Sequence, residues 1–195
     1  MQSGHGLHRG KSMGRLLSLI ACLTVAGAAS AAPAAPLADS RLAKAEALVD
    51  AFYKFDRAGL RAAMANAPGS QGDTLYYQLW AEAGHYAVLH RQPCQLGKAG
   101  EVACPVTVKD DLIPALGLDI HVTDVFHIRF EDGRAVEVWN TSDDPPEYQA
   151  AMAWLKRDRP EIFTGPCRGM WAGGPTPQDC VRAIVKGFAD FTAGQ

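Results

Sequence analysis

Asp124 is the residue whose position most clearly indicates chemistry. Residues 120–130 alternate between apolar and other side chains, a pattern that predicts a β-strand. Because successive strand residues point to opposite faces, Asp124 shares the apolar face with Val122 and Phe126. A carboxyl group among apolar side chains has a raised pKa and can act as a general acid or base. Asp124 is therefore a candidate catalytic residue; the structural alternatives are a frayed strand end open to solvent or a pair with an arginine.

Two histidines are candidate partners for that carboxyl group. His85 and His90 lie at a predicted helix-to-strand junction, near Trp80 and Tyr86. Either histidine could form an acid–base dyad with Asp124. The alternative for both is a structural role with satisfied hydrogen bonds.

The other face of the predicted strand carries His121, His127 and Arg129. A strand rises about 3.3 Å per residue, so two histidines six residues apart cannot chelate one metal ion alone. We interpret them as surface or interface residues and predict no metal. This outer face could hold a second copy of the chain in a homodimer.

Aromatic and amide side chains are the candidates for lining a pocket. They are Trp80, Tyr76, Phe126 and Asn140. Packing in the core is the alternative for the aromatic rings. The chain has no GxSxG, HExxH, GxxxxGK[ST] or helix-opening GxGxxG motif, so the sequence predicts no cofactor.

Composition limits the class of protein. The chain has 195 residues, of which 48% are hydrophobic and 21% charged, a balance typical of a soluble globular protein. The length suits one domain. The formal net charge of -2 supplies no basic field for nucleic acid, so no nucleic-acid partner is predicted.

Residues 1–31 have the three parts of a secretory signal peptide. A basic front is followed by a short apolar run and by the small-residue motif Ala29-Ser30-Ala31. The run is short for a membrane span, so we predict no membrane span and export to the periplasm or the extracellular space. As an alternative, Cys22 in the sequence LIAC resembles the acylated cysteine of a bacterial lipoprotein. Cleavage would leave 16 basic and 21 acidic residues, a net charge of -5.

The mature chain would keep an even number of cysteines, namely Cys94, Cys104, Cys167 and Cys180. In an exported chain this count predicts disulfide bonds. A hairpin centred on Ala99 would place Cys94 opposite Cys104, close enough for a disulfide. Cys167 and Cys180 would fasten the last helix to the loop before it, although the sequence alone leaves the connectivity open.

The order of elements predicts the fold class. A helix is expected after a cap at Asp39 or Ser40. Another helix, residues 74–86, should bury the stripe Leu75, Leu79, Ala83 and Tyr86. The remaining predictions are strands at 86–96, 101–108, 120–130 and 135–141, a helix after Asp143 or Asp144, and a last helix capped by Thr176. Helices, antiparallel strands and helices in this order predict an α+β fold with helices on one face of a curved sheet.

Two segments resemble the nuclear-transport-factor-two-like superfamily, which includes the SnoaL-like and ketosteroid-isomerase-like proteins. They are the hairpin FEDGRAVEVW, residues 130–139, and the helix ALVDAFYKFDRAGL, residues 47–60. The resemblance spans residues 37–162 and implies a cystatin-like cone, in which a bent sheet wraps helices around a pocket. It places the isomerase's strand acid at Phe126 and its helix tyrosine at Leu48, and it offers no counterpart of the proton-transferring aspartate. Steroid isomerisation is therefore not expected.

These observations divide the chain and leave three functions open. The predicted parts are a signal peptide (1–31), a Pro/Ala tether (32–38), a cone-fold domain (39–162), and a loop with a C-terminal helix (163–195). The first hypothesis is that the cone pocket binds a small apolar molecule. The second is a cofactor-independent lyase, isomerase or hydrolase that uses Asp124. The third is a protein-interaction module of the cell envelope. The ligand or substrate is not evident from the sequence.

Overall fold

The structure is a computed structural model and describes residues 35–171 and 177–194. The predicted signal peptide (1–31), the alternative acylation site Cys22 and the predicted capping residue Thr176 lie outside the described residues. The residues described form part of one compact unit.

The chain forms seven α-helices and five β-strands within the described residues. The helices are α1 (Ala35–Tyr53), α2 (Arg57–Ala63), α3 (Pro68–Ala83), α4 (Leu112–Ala115), α5 (Pro146–Asp158), α6 (Pro160–Thr164) and α7 (Pro177–Ala193). The strands are β1 (Ala87–Arg91), β2 (Gln95–Leu96), β3 (Glu101–Lys109), β4 (Val122–Glu131) and β5 (Arg134–Ser142). A short 3-10 helix, Lys98–Gly100, connects β2 to β3.

All five strands belong to one antiparallel sheet. Its order is β1-β3-β4-β5, and β2 also pairs with β3. Among the described strands, β1 and β5 are the edges, so the sheet does not close into a barrel. The α+β class predicted from the order of elements is confirmed.

The register of β2 and β3 explains the first disulfide. Gln95 pairs with Ala103 and Leu96 with Val102, so the hairpin is centred on Ala99 as predicted. The same register puts Cys94 opposite Cys104, and the two form a disulfide. The predicted disulfide between Cys167 and Cys180 is also present, and it joins α7 to the segment that follows α6.

The helices pack on one face of the sheet, and the core lies between them. In β4 the residues alternate strictly between buried and half-buried, as the sequence pattern predicted. Helix α1 contacts β3 and β4, and α3 contacts β5. Helix α7 lies against α3, α4 and α5. The largest fully buried side chains include Phe52, Phe126 and Phe188. Phe52 joins α1 to Phe126 of β4, and Phe188 joins α7 to Tyr148 of α5.

Two helix starts differ from the prediction. Helix α1 begins at Ala35, so Asp39 and Ser40 lie inside it instead of capping it, and the end of the predicted tether is helical. Helix α3 begins at Pro68, which suits the first turn because proline has no N–H to leave unsatisfied there. Tyr86 lies beyond the end of α3.

The buried face of α3 also differs from the predicted stripe of Leu75, Leu79 and Ala83. The buried residues are Thr74, Tyr76, Tyr77, Gln78, Trp80 and Ala81. The reason is tertiary: the Gln78 side chain donates to the carbonyls of Ala51 and Phe52 at 3.0 and 3.1 Å. Those carbonyls belong to the last turn of α1 and also accept hydrogen bonds from the backbone N–H groups of Asp56 and Phe55, at 2.9 and 3.0 Å. The two further bonds from its amide nitrogen hold the polar Gln78 side chain inward.

No helix among the described residues has both the length and the apolar character needed to cross a membrane.

Candidate functional site

The carboxyl group of Asp124 lies inside the protein and binds two tyrosine hydroxyls. Asp124 is 2% exposed. The Tyr77 hydroxyl donates to Asp124 Oδ2 at 2.7 Å, and the Tyr53 hydroxyl donates to the same oxygen at 2.9 Å. Three elements therefore meet at one oxygen atom: β4, the end of α1 and the middle of α3.

Aromatic packing places these three side chains. Phe52 lies edge-on against Phe126 with ring centroids 4.7 Å apart, and this contact seats the end of α1 on β4. Tyr53 follows Phe52 and also meets Phe126 edge-on, with ring centroids 5.9 Å apart. Tyr77 stacks on Phe126 at 6.3 Å. The carboxyl group of Asp124 is thus surrounded by rings and has little contact with water.

This environment changes the acidity of Asp124. Burial raises the pKa of Asp124 from its ordinary value of 3.8 to about 6. The hydrogen bonds from Tyr77 and Tyr53 lower the pKa in part, because they stabilise the charged form. The protonated and ionised carboxyl groups are therefore both populated close to neutral pH.

The two tyrosines remain protonated under the same conditions. Burial raises the pKa of Tyr53 and of Tyr77 above the ordinary value of 10, and the negative charge of Asp124 raises both further. Both hydroxyls are accordingly hydrogen-bond donors at neutral pH.

Two further carboxyl groups lie in the same neighbourhood. Burial raises the pKa of Asp110 and of Asp144. Asp110 accepts hydrogen bonds from the backbone N–H groups of Leu112 and Ile113, the first two residues of α4, at 2.6 and 2.9 Å. Asp144 accepts from Ser142 Oγ at 3.1 Å.

Two more tyrosines complete the neighbourhood. Burial raises the pKa of Tyr86 and of Tyr148, and the carboxyl groups of Asp110, Asp124 and Asp144 raise it further. We name the whole set the acid–tyrosine cluster. Its members are Asp110, Asp124, Asp144, Tyr53, Tyr77, Tyr86 and Tyr148.

The histidines considered as partners of Asp124 lie elsewhere. His85 Nδ1 is 2.6 Å from Asp111 Oδ2, on the surface. His85 has a left-handed backbone, with φ of 52°, which turns the chain after α3 toward Asp111. His90 is an exposed residue of β1. The structure brings tyrosines, not these histidines, to Asp124.

The side chains expected to line a pocket are divided between core and surface. Phe126 is 1% exposed, Trp80 2% and Tyr76 9%, and all three belong to the core. Asn140 is exposed and lines a groove with Trp171. Core packing, the alternative given for the aromatic rings, describes the positions of these three residues.

The residues predicted on the outer strand face have the following contacts. His121 is exposed and lies beside a cavity of about 140 Å³. His127 Nδ1 is 2.6 Å from Glu101 Oε1, and its ring stacks on Trp139 with centroids 5.1 Å apart. Arg129 Nε donates to Glu137 at 2.9 Å. In the part of the chain that the structure describes, no three or more His, Cys, Asp or Glu side chains are grouped to hold a metal ion.

Sequence reasoning missed Tyr53 and Tyr77. The family resemblance directed attention to Leu48 for a helix tyrosine, one and a half turns before Tyr53. The local pattern indicated burial but not contact with Asp124: Tyr53 directly follows Phe52, which lies on the predicted buried face of α1. Tyr77 lies three residues before Trp80, which is helical spacing.

Comparison with known proteins found no relative of this chain. No protein-family model matches the chain, no curated protein matches it, and no solved structure matches it.

Proposed function

We propose that the chain is an enzyme that transfers a proton on a small, uncharged and largely apolar molecule, without a cofactor. The observation that carries this proposal is the buried carboxyl group of Asp124 with the hydroxyls of Tyr53 and Tyr77 on its Oδ2 atom. Asp124 is the proposed proton donor or acceptor. The two tyrosines hold its orientation.

The acidity of Asp124 suits this role. A general acid or base works best when its pKa lies near the working pH, and the pKa of Asp124 is about 6. Both tyrosines donate to Oδ2, so Oδ1 is the oxygen that can carry and release the proton. Perturbed carboxyl groups of this kind are concentrated at functional sites.

The surroundings indicate the substrate class. Apolar rings and three carboxyl groups with raised pKa make the site unfavourable for an anion, because burial and like charge both oppose a further negative charge. A neutral molecule with one hydrogen-bonding group suits it best. Proton abstraction next to a carbonyl group, elimination of water and hydrolysis are reactions of this type.

The end of β5, which pairs with Asp124, is exposed to solvent. Ser142 is the strand partner of Asp124 and is exposed, and Asp144 beyond it is half-buried. A substrate would therefore approach past Ser142. The carboxyl group itself is reached only if the rings around it move.

Two other observations support the proposal. The resemblance to the nuclear-transport-factor-two-like superfamily is a resemblance to a fold whose members include isomerases, dehydratases and hydrolases as well as ligand binders. Disulfides persist in oxidising compartments, so the two disulfides are compatible with a chain that acts in the periplasm or outside the cell.

The experiment is a turnover screen with a matched variant. The purified protein is incubated at pH 7 with a small-molecule extract of its host, and mass spectrometry follows which compounds disappear. We expect a compound that the wild type and Asp179→Asn consume and Asp124→Asn does not, because Asp179 is an exposed carboxylate on α7 outside the acid–tyrosine cluster. Equal consumption by Asp124→Asn and the wild type would contradict the proposal.

A second candidate function is docking of a partner protein or a second copy on the outer sheet face. Arg129 there is 41% exposed at its side chain and pairs with Glu137 and Glu131 of the same sheet. In the described part of the chain the helices contact the opposite face. Arg129→Glu should abolish capture of the partner or dimerisation, whereas Arg61→Glu on α2 should not. Capture or dimerisation unaffected by Arg129→Glu would refute this function.

A further inference from the structure

A groove of about 380 Å³ lies between the edge strand β5 and the first turns of α3. This volume falls in the range of small-molecule sites, about 300–1,000 Å³. The side chains that matter for its chemistry are Asp73, Glu137, Trp139, Asn140 and Trp171. We name it the tryptophan groove. It does not include Asp124, although its Trp171 contacts Tyr77 of the proposed proton-transfer site, with ring centroids 6.1 Å apart.

Two exposed indole rings line this one groove. Trp171 is 44% exposed and Trp139 is 38% exposed, whereas Trp80 is 2% exposed. Exposed large apolar surface is unfavourable in water, and its concentration in a concave site marks a place where something binds. Trp139 lies in β5 and Trp171 follows α6, so the fold brings the two rings to one groove.

Both rings are held in place by other aromatic side chains. Trp139 stacks on His127 at an interplanar angle of 8° with centroids 5.1 Å apart. Trp171 contacts Tyr76 at 5.0 Å and Trp80 at 5.4 Å. Each indole therefore presents a fixed surface, and a ligand does not have to order it on binding.

The polar groups of the groove both donate and accept hydrogen bonds. Asp73 and Glu137 supply carboxylate oxygens, and Glu137 is held by Arg129 at 2.9 Å. The Val138 N–H donates to Ser70 Oγ at 2.9 Å and so points away from β4. Because an antiparallel strand alternates, the backbone N–H and carbonyl of Asn140 point the same way, toward the groove.

We propose that the tryptophan groove binds a saccharide. A sugar has hydroxyl groups around its rim, which both donate and accept, and apolar C–H faces that can lie on indole rings. The groove offers this combination of carboxylate, amide, backbone and indole groups. An anion would be repelled by Asp73 and Glu137. Arg129 pairs with Glu137, and the partial positive charge at the N-terminus of α3, which forms one wall, offsets part of the charge of Asp73. Little net negative charge is therefore left to hold an organic cation, and an uncharged polyhydroxy ligand suits the groove better.

The test is calorimetric titration with three soluble disaccharides, maltose, cellobiose and chitobiose, up to about 50 mM, well above the millimolar Kd of a weak site. We expect saturable binding of at least one. Trp171→Ala and Trp139→Ala should each weaken it about tenfold, the loss of one aromatic platform. Trp154→Phe on α5 and Asp124→Asn should leave the affinity within about twofold.

Trp171→Phe keeps an aromatic ring against Tyr76 and Trp80 and separates loss of binding from loss of folding. Its circular dichroism should match that of the wild type, and its affinity should lie between those of the wild type and Trp171→Ala. Three results would overturn the proposal: no binding of any of the three disaccharides, binding that neither tryptophan variant weakens, or saturable binding of choline in their place. Because Asp124→Asn is predicted to bind normally, this outcome is independent of the turnover screen.

Discussion

Asp124 has an unusual position because it is a buried carboxyl group whose hydrogen-bond partners are tyrosines. Desolvation is the largest influence on its pKa and acts against the charged form. The hydroxyls of Tyr53 and Tyr77 oppose desolvation, so the acidity of Asp124 depends on residues from two helices. This dependence can be measured by removing one hydroxyl at a time.

Tyr77→Phe should raise the pKa of Asp124 above 6. The substitution removes the 2.7 Å hydrogen bond that stabilises the ionised carboxyl group, and it leaves the ring against Phe126. The titration of the Asp124 carboxyl carbon by NMR measures the shift. Tyr76→Phe is the matched control, since Tyr76 is the adjacent residue of α3 and has no bond to Asp124. A pKa that is unchanged in Tyr77→Phe would show that this hydroxyl does not set the acidity.

At the residue scale, the sequence predicted the position of Asp124 but not its hydrogen-bond partners. The period of two in β4 predicted that Asp124 faces the apolar side. Its partners could not be predicted in the same way, because Tyr53 and Tyr77 are 71 and 47 residues away along the chain. Long-range contacts of this kind depend on how α1 and α3 dock on the sheet, and no local pattern reports that.

At the scale of the elements, the packing of α7 depends on its close approach to α5. A Cβ atom added to Gly187 would overlap Leu155 Cδ2, so the two helices meet where α7 has no side chain. Gly187→Ala should lower the free energy of unfolding by about 1–3 kcal/mol, since the fully buried Leu155 side chain must shift within the packed core to make room. Urea denaturation measures this difference.

Gly72→Ala is the matched control for that prediction. Gly72 lies inside α3, and a Cβ there meets nothing within 4 Å. Alanine should stabilise the protein by about 0.5–1 kcal/mol, because glycine loses more backbone entropy in a helix. A Gly187→Ala protein as stable as Gly72→Ala would contradict the proposed close packing of α5 and α7.

The sequence predicted those features of the elements that depend on local rules. It did not predict those that depend on tertiary packing. Index arithmetic around Ala99 found the hairpin register and the Cys94–Cys104 disulfide, because register and turn are local. The start and buried face of α3 were wrong. The buried Gln78 donates hydrogen bonds to two carbonyl groups of α1, whereas a polarity pattern predicts that a glutamine is exposed.

The whole molecule should be less stable above pH 6 on account of Asp124. In the unfolded chain the carboxyl group releases its proton near pH 4, whereas in the folded protein it holds the proton up to about pH 6. Stability from this group is therefore fully present below pH 4 and is lost as the pH rises from 4 to 6. The loss amounts to about 3 kcal/mol at pH 7.

Asp124→Asn tests this because asparagine cannot ionise and can still accept the two tyrosine bonds. The variant should gain about 3 kcal/mol relative to the wild type between pH 4 and pH 7, measured by urea denaturation at each pH. Comparing the two proteins cancels the contributions of Asp110 and Asp144, whose pKa values are also raised. A constant difference between them at all pH values would contradict the raised pKa.

At this scale the sequence predicted the α+β class, because class follows from the order of elements. It left open whether the aromatic side chains line a pocket or pack in the core beside the sheet. Whether a concave sheet encloses a pocket depends on the sizes of side chains from several elements at once. Phe52, Tyr77 and Phe126 converge on that space from α1, α3 and β4.

The titration of Asp124 in the wild-type protein tests the central claim most directly. The protein is labelled with ¹³C at the aspartate carboxyl carbon, the signal is assigned with Asp124→Asn, and its shift is followed from pH 3 to pH 9. We predict a midpoint near pH 6 for Asp124. A midpoint at or below about 4, the value of an ordinary exposed aspartate, would show a carboxylate ionised throughout the neutral range and would contradict the proposed proton transfer.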